Sequence, residues 1–448
     1  MENCSYKDAP LALERGIGGA GDPKRIMLLT TARSYRNQAF ADAAARLDVD
    51  VIYVQDMAGQ LATHWNYRQG VDFSRPDAAA QAIADLAAEI ANAEMNNAAP
   101  IQAIRAVDES GTLVAAKACA LLGLPYNSPQ AAEAARDKHL MRTLFVQAGV
   151  PCPRFMLFHT GDEPHVVARQ VAQQVTYPCV VKPINLSGSR GVMRADDEAE
   201  FVAAVQRLTQ MLHELRIDDA PQPYQVESFI PGFEVALEGI LDHGKLQVLA
   251  LFDKPDPLDG PFFEETIYVT PSRLAAETQA QIAQCAADSA AALGLRQGPI
   301  HAELRVNAQG PWILEVAGRS IGGLCAKTLR FDDDVSLEEL ILRQACGLPL
   351  GFMQREASAR GVMMIPIPEA GVLRTVQGLA EAQNVPDIEE IEITAKPNYS
   401  LTPLPEGDSY LGFIFARGQT PEHVETALRL AHSKLHFEIV PELALVLG

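Results

Sequence analysis

Residues 300–323 read IHAELRVNAQGPWILEVAGRSIGG, and the fold of the whole chain is best worked out from this stretch. Two apolar runs flank the polar turn Asn-Ala-Gln-Gly, which predicts a β-hairpin. In the first run His301, Glu303 and Arg305 alternate with apolar residues. Because side chains alternate between the two faces of a strand, we expect these three polar groups on one face.

The second predicted strand carries Glu315 inside an otherwise apolar run. Carboxylates of Glu303 and Glu315 on neighbouring strands would repel each other unless a cation lay between them. Hard oxygen ligands of this kind suit Mg²⁺ that carries nucleotide phosphates. An internal ion pair of Glu303 with Arg305, or of a glutamate with a lysine, is the structural alternative.

The hairpin is followed at once by a basic residue and two consecutive glycines, Arg319, Gly322 and Gly323. A guanidinium beside two flexible backbone N–H groups is suited to bind an oxyanion or an acyl phosphate.

Two lysines upstream could hold phosphates. Lys182 ends a predicted short strand at 178–183 and precedes a loop that contains Gly188 and Gly191. Glycines let backbone N–H groups approach phosphate oxygens, although a strand that ends in Lys-Pro before a turn is also common. Lys138 lies on the apolar stripe of a helix predicted over 129–148, which is unusual unless its amine reaches a cleft.

A further pair of carboxylates, Glu227 and Glu234, brackets a tight apolar turn between two predicted strands. Extended backbone near Phe229 and Ile230 could hydrogen-bond the edge of a purine while their side chains pack against its face. Glu234 could accept hydrogen bonds from ribose hydroxyls. A solvated hairpin edge is the structural alternative for this segment.

Composition and length limit the class of protein. The chain has 448 residues, which at ~150 residues per domain suggests about three domains, and its net charge is −20. The negative charge argues against nucleic-acid binding, and no apolar run reaches the ~18 residues of a membrane helix. The seven cysteines are scattered with no C-x-x-C pair, so we expect reduced thiols and a cytoplasmic protein.

The first part of the chain alternates predicted strands with predicted helices. Strands at 25–30, 51–54 and 101–107 alternate with helices at 37–47 and 77–93, which predicts a parallel sheet. This part should end near the helix cap at Ser128.

A glycine-rich segment at residues 16–21 matches the G-x-G-x-x-G pattern of dinucleotide-binding proteins. That motif requires a strand before the glycines and a helix at the last one, whereas here the strand follows them. We therefore interpret residues 1–24 as a flexible leader and reject an oxidoreductase.

Taken in order, these motifs resemble an ATP-grasp enzyme over residues 25–350. The form Glu-x-Ala-x-Arg at 315–319 and the tail after 351 resemble the L-amino acid ligases. The resemblance implies an α/β fold, α+β in its ATP-grasp part, with a two-lobed ATP-grasp module. The domains implied are a Rossmann-like N-terminal domain at 25–127, the ATP-grasp domain at 128–350 with a lid at about 150–227, and an α/β C-terminal subdomain at 351–448.

The resemblance also implies roles for individual residues. The implied ATP-binding residues are Lys138, Lys182, Ser187, Gly188, Ser189, Gly191, Glu227, Phe229, Ile230 and Glu234. Glu303 and Glu315 would bind Mg²⁺, with Mn²⁺ as a substitute. Lys182, Arg319, Gly322 and Gly323 would be catalytic. Many ATP-grasp enzymes have Asn as a third metal ligand where this chain has Ala317, which leaves the number of metal ions open.

The function implied is an ATP-dependent ligase that forms an amide bond through an acyl phosphate. Its partners would be a small-molecule carboxylate and an amine, either two amino acids or an amino acid and another amine, in a homodimer that binds neither nucleic acid nor membrane. We expect Glu264 or Glu265 to contact a substrate ammonium and His301 to neighbour the reacting carboxylate. A capping charge and a packed core histidine are equally open for these residues.

Other functions remain open at this point. An ATP-grasp ligase could act on a carboxylate that is not an amino acid or on a tailoring intermediate. A biotin carboxylase would need a biotinyl partner, of which nothing in the sequence gives a sign. A nucleotide-binding protein without turnover is a different class, against which the paired carboxylates and Arg319 argue.

Overall fold

A computed structural model describes residues 24–32, 34–65, 67, 69–93, 100–215, 220–351 and 353–442. The leader predicted at residues 1–24, except Lys24, and the glycine-rich segment at 16–21 lie outside the described residues.

The N-terminal part forms a parallel sheet of four strands in the order β3-β2-β1-β4, which confirms the predicted alternation. Its elements are β1 (Lys24–Thr30), α1 (Asn37–Leu47), β2 (Val49–Asp56), α2 (Gly59–His64), β3 (Gly70–Val71), α3 (Pro76–Ala93), β4 (Ala103–Ala106) and α4 (Thr112–Leu122). The two inner strands, β1 and β2, each have an apolar centre, at 26–29 and 51–54, as expected for a sheet covered on both faces.

The single helix predicted over 129–148 is wrong. The structure has two helices there, α5 (Pro129–Ala134) and α6 (Lys138–Ala148). Ser128 caps the first helix as predicted, and Asp137 caps the second by accepting hydrogen bonds from the amides of His139 and Leu140. Such a cap fixes non-helical backbone at its own position, so the helix is interrupted just before Lys138.

A second sheet, the lid sheet, is antiparallel and has the order β5-β8-β6-β7. Its elements are β5 (Phe155–His159), α7 (Pro164–Gln174), β6 (Cys179–Pro183), β7 (Met193–Ala195), α8 (Glu198–Glu214) and β8 (Pro223–Ser228). Helices α7 and α8 bury their apolar faces against this sheet, giving it a core of its own.

The largest sheet has eight strands in the order β13-β12-β9-β10-β11-β16-β20-β18. The remaining elements are β9 (Phe233–Asp242), β10 (Lys245–Lys254), β11 (Ile267–Thr270), α9 (Ala276–Leu293), β12 (Gly298–Asn307), β13 (Gly310–Ala317), β14 (Arg330–Phe331), β15 (Val335–Ser336), α10 (Leu337–Ala345), β16 (Ala359–Ile365), β17 (Gly371–Gln377), α11 (Leu379–Gln383), β18 (Ile388–Ile393), β19 (Ser400–Leu401), β20 (Gly412–Gly418), α12 (Pro421–His432) and β21 (His436–Val440). Strands β16, β20 and β18, all beyond residue 351, thus extend the sheet that carries the hairpin.

Two connections place the functional elements. Strands β8 and β9, which flank the predicted turn at Pro231 and Gly232, do not pair with each other: β8 lies in the lid sheet and β9 in the largest sheet. The turn therefore joins two lobes, and the hairpin of β12 and β13 is confirmed beside it. The α/β class is confirmed by the parallel N-terminal sheet with its helices and by the antiparallel sheets in the rest of the described chain.

Two negative findings concern the described part of the chain. None of its helices is both long and apolar enough to cross a membrane. Its cysteines, which comprise every cysteine except Cys4, are free thiols.

Candidate active site

A cavity of about 320 Å³ opens between the lid sheet, the hairpin and the segment before β20. A volume of this size is typical of small-molecule sites. Most of the predicted site residues line it, namely Lys138, Lys182, Ser187, Gly188, Ser189, Glu227, Phe229, Ile230, Glu234, Glu265, His301, Glu303, Glu315, Arg319, Gly322 and Gly323. Gly191 and Glu264 do not line the cavity.

The two predicted metal ligands lie side by side. Glu303 on β12 is the direct register partner of Glu315 on β13, and both side chains are only partly exposed. The register shifts immediately after this pair, so Leu314 forms a β-bulge that also lines the cavity. Bulges are common next to active sites because they re-aim a side chain.

Glu303 is held in its charged form by two neighbouring cations. Its carboxylate lies 3.2 Å from the ammonium of Lys254 and 3.3 Å from Nε2 of His301. Burial alone would raise the pKa of Glu303, but these cations hold it well below the usual value. Glu315 has its own cation, Lys138, at 3.5 Å.

Lys254 is the centre of an acidic cluster that the sequence did not indicate. Its buried ammonium lies 3.0 Å from Glu234, 2.6 Å from Glu265 and 3.2 Å from Glu303. The carboxylate oxygens of these three glutamates lie within 4.8 Å of one another, close enough to share a metal ion. Burial opposes the charge on Lys254, yet the surrounding carboxylates raise its pKa well above the usual value.

The predicted phosphate lysine, Lys182, lies at the end of β6 in a buried ion cluster. Its ammonium is 2.6 Å from Glu227, which also pairs with Arg142 at 2.8 Å. Burial lowers the pKa of Lys182 to about 8, although Glu227 counteracts this effect. Burial would raise the pKa of Glu227, but Arg142 and Lys182 keep it below the usual value. Because one carboxylate cannot neutralise two cations, this cluster carries a net positive charge beside the cavity.

Lys138 begins α6 and reaches the glycine loop, residues 186–192. Its ammonium donates to the carbonyl of Leu186 at 2.7 Å. In this loop Gly188, Ser189 and Gly191 all have positive φ. At Gly191 a Cβ would come within 2.5 Å of Met211 Cε, so no larger residue fits without a shift. Although it does not line the cavity, Gly191 fixes the course of the loop.

Arg319 follows β13 and is oriented from the N-terminal part of the chain. Its Nε donates to Glu109 at 3.1 Å, and Nη1 donates to the carbonyl of Ser320 at 3.0 Å. Gly322 and Gly323 line the same wall of the cavity. The guanidinium and the two glycines therefore lie together, as the sequence predicted.

His301 is tied to a glutamate that the sequence did not indicate. Its Nδ1 contacts the fully buried Glu238 on β9, whose other oxygen accepts from the amide of Ile321 at 3.1 Å. Burial would lower the pKa of His301, but Glu238 and Glu303 raise it to about 9. At neutral pH the ring is therefore a cation that donates from both nitrogens.

The predicted nucleotide wall is partly occupied by arginines. Arg194 and Arg305 lie 4.3 and 4.8 Å from the ring centroid of Phe229, and Arg305 donates to the carbonyl of Ile230 at 3.0 Å. Glu234 is buried and accepts from Lys254 and, at 2.9 Å, from Arg305. Whether it also binds a ribose stays a prediction.

The two predicted ammonium contacts differ in position. Glu265 lines the cavity beside Lys254, and burial raises its pKa. Glu264 lies outside the cavity lining, and burial raises its pKa too. Of the two, Glu265 is the one placed to meet a ligand.

Four residues pair with the cavity lining but do not line the cavity themselves, and the sequence did not indicate them: Arg142, Lys254, Glu238 and Glu109. Arg142 lies one helical turn after Lys138, and that i,i+4 spacing is the signal that could have found it. Lys254, Glu238 and Glu109 come from other segments, and their ion pairs span 11 to 210 residues of sequence. The residues after 400 that line the cavity, Asp408, Ser409, Tyr410 and Phe413, lay beyond the stretch where the motifs were found.

Comparison with known proteins gives consistent results. A family model described as an ATP-grasp domain matches residues 175–328, and one described as L-amino acid ligase C-terminal domain 2 matches residues 363–440. Alanine–anticapsin ligase of Bacillus subtilis is 28% identical over 262 residues, which are 54% of this chain and 54% of that protein. The chain thus matches about half the length of this relative.

Two further proteins are similar. Carnosine synthase 1 of Gallus gallus is 29% identical over 284 residues, 58% of this chain and 30% of that protein. The crystal structure of an L-amino acid ligase from Bacillus licheniformis superposes with a TM-score of 0.72 at 25% identity. That superposition covers 94% of this chain and 100% of the other.

Proposed function

We propose that this chain, which contains an ATP-grasp domain followed by an L-amino acid ligase C-terminal domain, is an ATP-dependent ligase that joins two L-amino acids. The observation that carries the proposal is one cavity with two opposed carboxylates, Glu303 and Glu315, between a lysine-lined end and an arginine with two glycines. Such an arrangement suits phosphoryl transfer to a carboxylate followed by acyl transfer.

The donor set of Glu303 and Glu315 fits Mg²⁺. Both ligands are hard carboxylate oxygens, they are direct register partners, and their side chains face the cavity rather than bulk solvent. When bound, the ion neutralises charge on the phosphate oxygens of ATP. With Ala317 in place of an Asn ligand, these two glutamates are the residues that would hold it.

The first step activates a carboxylate. One carboxylate oxygen of the first amino acid attacks the γ-phosphorus of ATP, and the bond from that phosphorus to the β–γ bridging oxygen breaks, which releases ADP. Lys138 and Lys182 hold the phosphates as the charge shifts towards ADP. The glycine loop, residues 186–192, covers the phosphates and excludes water, which would otherwise hydrolyse the acyl phosphate.

The second step forms the amide. The neutral amine of the second amino acid attacks the carbonyl carbon of the acyl phosphate, and Arg319 with the amides of Gly322 and Gly323 stabilises the oxyanion. The carbon–oxygen bond to phosphate then breaks, inorganic phosphate leaves, and the nitrogen releases a proton. Because His301 is already protonated at neutral pH, it acts as a charged donor near the carboxylate and not as the base.

The proposal is tested by measuring ADP and phosphate release with single L-amino acids and then with pairs, with mass detection of products. We expect release that depends on a pair and yields a dipeptide. Arg319→Ala should lower kcat by roughly a hundredfold or more while the Kd for ATP changes little, since losing one oxyanion donor costs about 10²–10³ in kcat. Arg374→Ala, at an exposed arginine on β17, is the matched control.

Other outcomes would contradict the proposal in distinct ways. ADP release with amines but with no second amino acid would favour a ligase with a different acceptor. ATP binding without ADP release across the whole panel would favour a nucleotide-binding protein without turnover. An Arg319→Ala variant with normal dipeptide synthesis would remove the proposed role of that arginine.

A further inference from the structure

An aromatic patch forms the part of the cavity wall next to Gly323. The patch consists of Tyr35, Tyr410 and Phe413, with ring centroids of Tyr35 and Tyr410 at 5.8 and 6.0 Å from that of Phe413. Tyr35 comes from the turn between β1 and α1, whereas the other two come from the C-terminal subdomain. Residues far apart in sequence thus build one apolar surface that the nucleotide chemistry does not use.

The aromatic patch adjoins the group proposed to stabilise the oxyanion. A Cβ at Gly323 would lie 3.2 Å from Cε1 of Phe413 and 3.9 Å from Sγ of Cys325. The backbone of Gly323 is therefore in contact with the patch, and its positive φ of 58° also favours glycine. A substrate amino acid whose carboxylate reacts beside Gly323 would have its side chain within reach of these rings.

The floor of the same region is also apolar. Sγ of Cys325 lies 3.7 Å from Sδ of Met364, and both side chains are buried. Two charged side chains at its edge are already paired: Glu265 with Lys254, and Asp408 with Arg190 at 3.5 Å. A charged substrate side chain would lose its hydration against this apolar floor, which is unfavourable unless it gains an ionic partner there.

Tyr35 is the exposed member of this wall. Tyr35 is 43% exposed and lines the cavity, so its ring is accessible to a ligand. A substrate side chain that covered this ring and the edge of Tyr410 would remove apolar surface from water on both partners.

We propose that the amino acid whose carboxylate is activated carries an apolar side chain, which packs on Tyr35 and Tyr410, with the buried Phe413 supporting both rings. This inference rests on the proposed ligase function and adds the class of its first substrate.

The test varies the first amino acid at a fixed second one and measures ADP release. We expect kcat/KM for Phe, Met and Leu to exceed that for Asp and Lys by roughly tenfold or more, since a few apolar contacts discriminate by 10- to 200-fold. Tyr35→Ala should raise KM for the apolar substrate by roughly tenfold and leave KM for ATP unchanged. Tyr399→Ala is the matched control, because Tyr399 is 63% exposed and does not line the cavity.

The outcomes separate this inference from the function on which it rests. Equal or better use of Asp or Lys as first substrate, or equal effects of Tyr35→Ala and Tyr399→Ala, would overturn the apolar subsite while the ligase stands. A lack of ADP release with every amino acid, in protein that still binds ATP, would overturn the ligase itself.

Discussion

Lys182 has an environment that favours its neutral form more strongly than water does. Burial is the larger influence on its pKa, and the charges that face it are Glu227 on β8 with Arg142 and Lys138 on α6. A lysine of pKa about 8 is charged below that pH and neutral above it. Its ability to hold a phosphate therefore depends on pH in a range where an ordinary lysine would stay charged.

We expect kcat/KM for ATP to fall as pH rises through about 8, because the free enzyme then loses the ammonium of Lys182. Lys182→Gln should lower kcat/KM by roughly tenfold to a hundredfold at pH 7, as loss of a charged hydrogen bond costs about 1.5–3 kcal/mol. The variant should also lack the decline near pH 8. Steady-state kinetics from pH 6 to 9.5 measures both effects.

Lys245→Gln provides the control for this measurement, since Lys245 is exposed at the start of β10 and away from the cavity. Its pH profile should match that of the unaltered protein. If Lys182→Gln keeps the same decline near pH 8, another group is responsible and the role given to Lys182 is wrong.

At the scale of elements, α8 and the segment before β20 restrain the glycine loop, residues 186–192. Arg207 of α8 makes two hydrogen bonds to Glu406, at 2.6 and 2.9 Å. Within the loop, the amide of Gly191 donates to the carbonyl of Pro405 at 2.8 Å, and Nε of Arg190 donates to that of Glu406 at 2.8 Å. A segment beyond residue 400 thus holds the loop that is proposed to cover the phosphates.

Arg207→Ala should raise KM for ATP a few-fold while the melting temperature changes little. The pair with Glu406 is substantially exposed, so its contribution to stability is roughly 0–1 kcal/mol, but it holds the segment whose carbonyls accept hydrogen bonds from the loop. At high salt, KM for ATP should differ less between the variant and the unaltered protein, because salt screens the attraction between Arg207 and Glu406. Arg169→Ala, at an exposed arginine of α7, is the control. Equal KM values for the two variants would show that the pair of Arg207 and Glu406 does not influence ATP binding.

The elements also show what local pattern can and cannot predict. The alternation of His301, Glu303 and Arg305 was enough to place them on one face, because strand periodicity is a local property. The sequence pattern does not predict the break between α5 and α6, because the apolar stripe continues across it. The break is set instead by the side chain of Asp137, which accepts hydrogen bonds from two amides and starts a new helix.

At the scale of the whole molecule, the cavity could not be derived from spacing alone. Lys254 reaches Glu303 because β10 and β12 both flank β9, and this strand order follows from long-range pairing. Phe413 meets Gly323 because β16 and β20 extend the same sheet past β11. The sequence therefore predicted most of the charged residues that line the site, whereas their counter-ions and the apolar wall depend on sheet order, which local patterns do not predict.

Because the lid sheet, the hairpin and the C-terminal segment all line one cavity, a nucleotide that binds there should stabilise all three together. A ligand at about 100 times its Kd stabilises the folded state by about 2.7 kcal/mol, so we expect ATP with Mg²⁺ to raise the melting temperature by several degrees. Glu315→Gln should reduce the part of this rise in melting temperature that needs Mg²⁺, because one carboxylate ligand is lost.

Differential scanning calorimetry with ATP alone and with ATP plus Mg²⁺ measures the Mg²⁺-dependent part of the rise. Glu133→Gln, at an exposed glutamate of α5, is the control. An undiminished Mg²⁺-dependent rise in Glu315→Gln would mean that the opposed pair of carboxylates does not bind the metal, and the site proposed for phosphoryl transfer would have to be placed elsewhere.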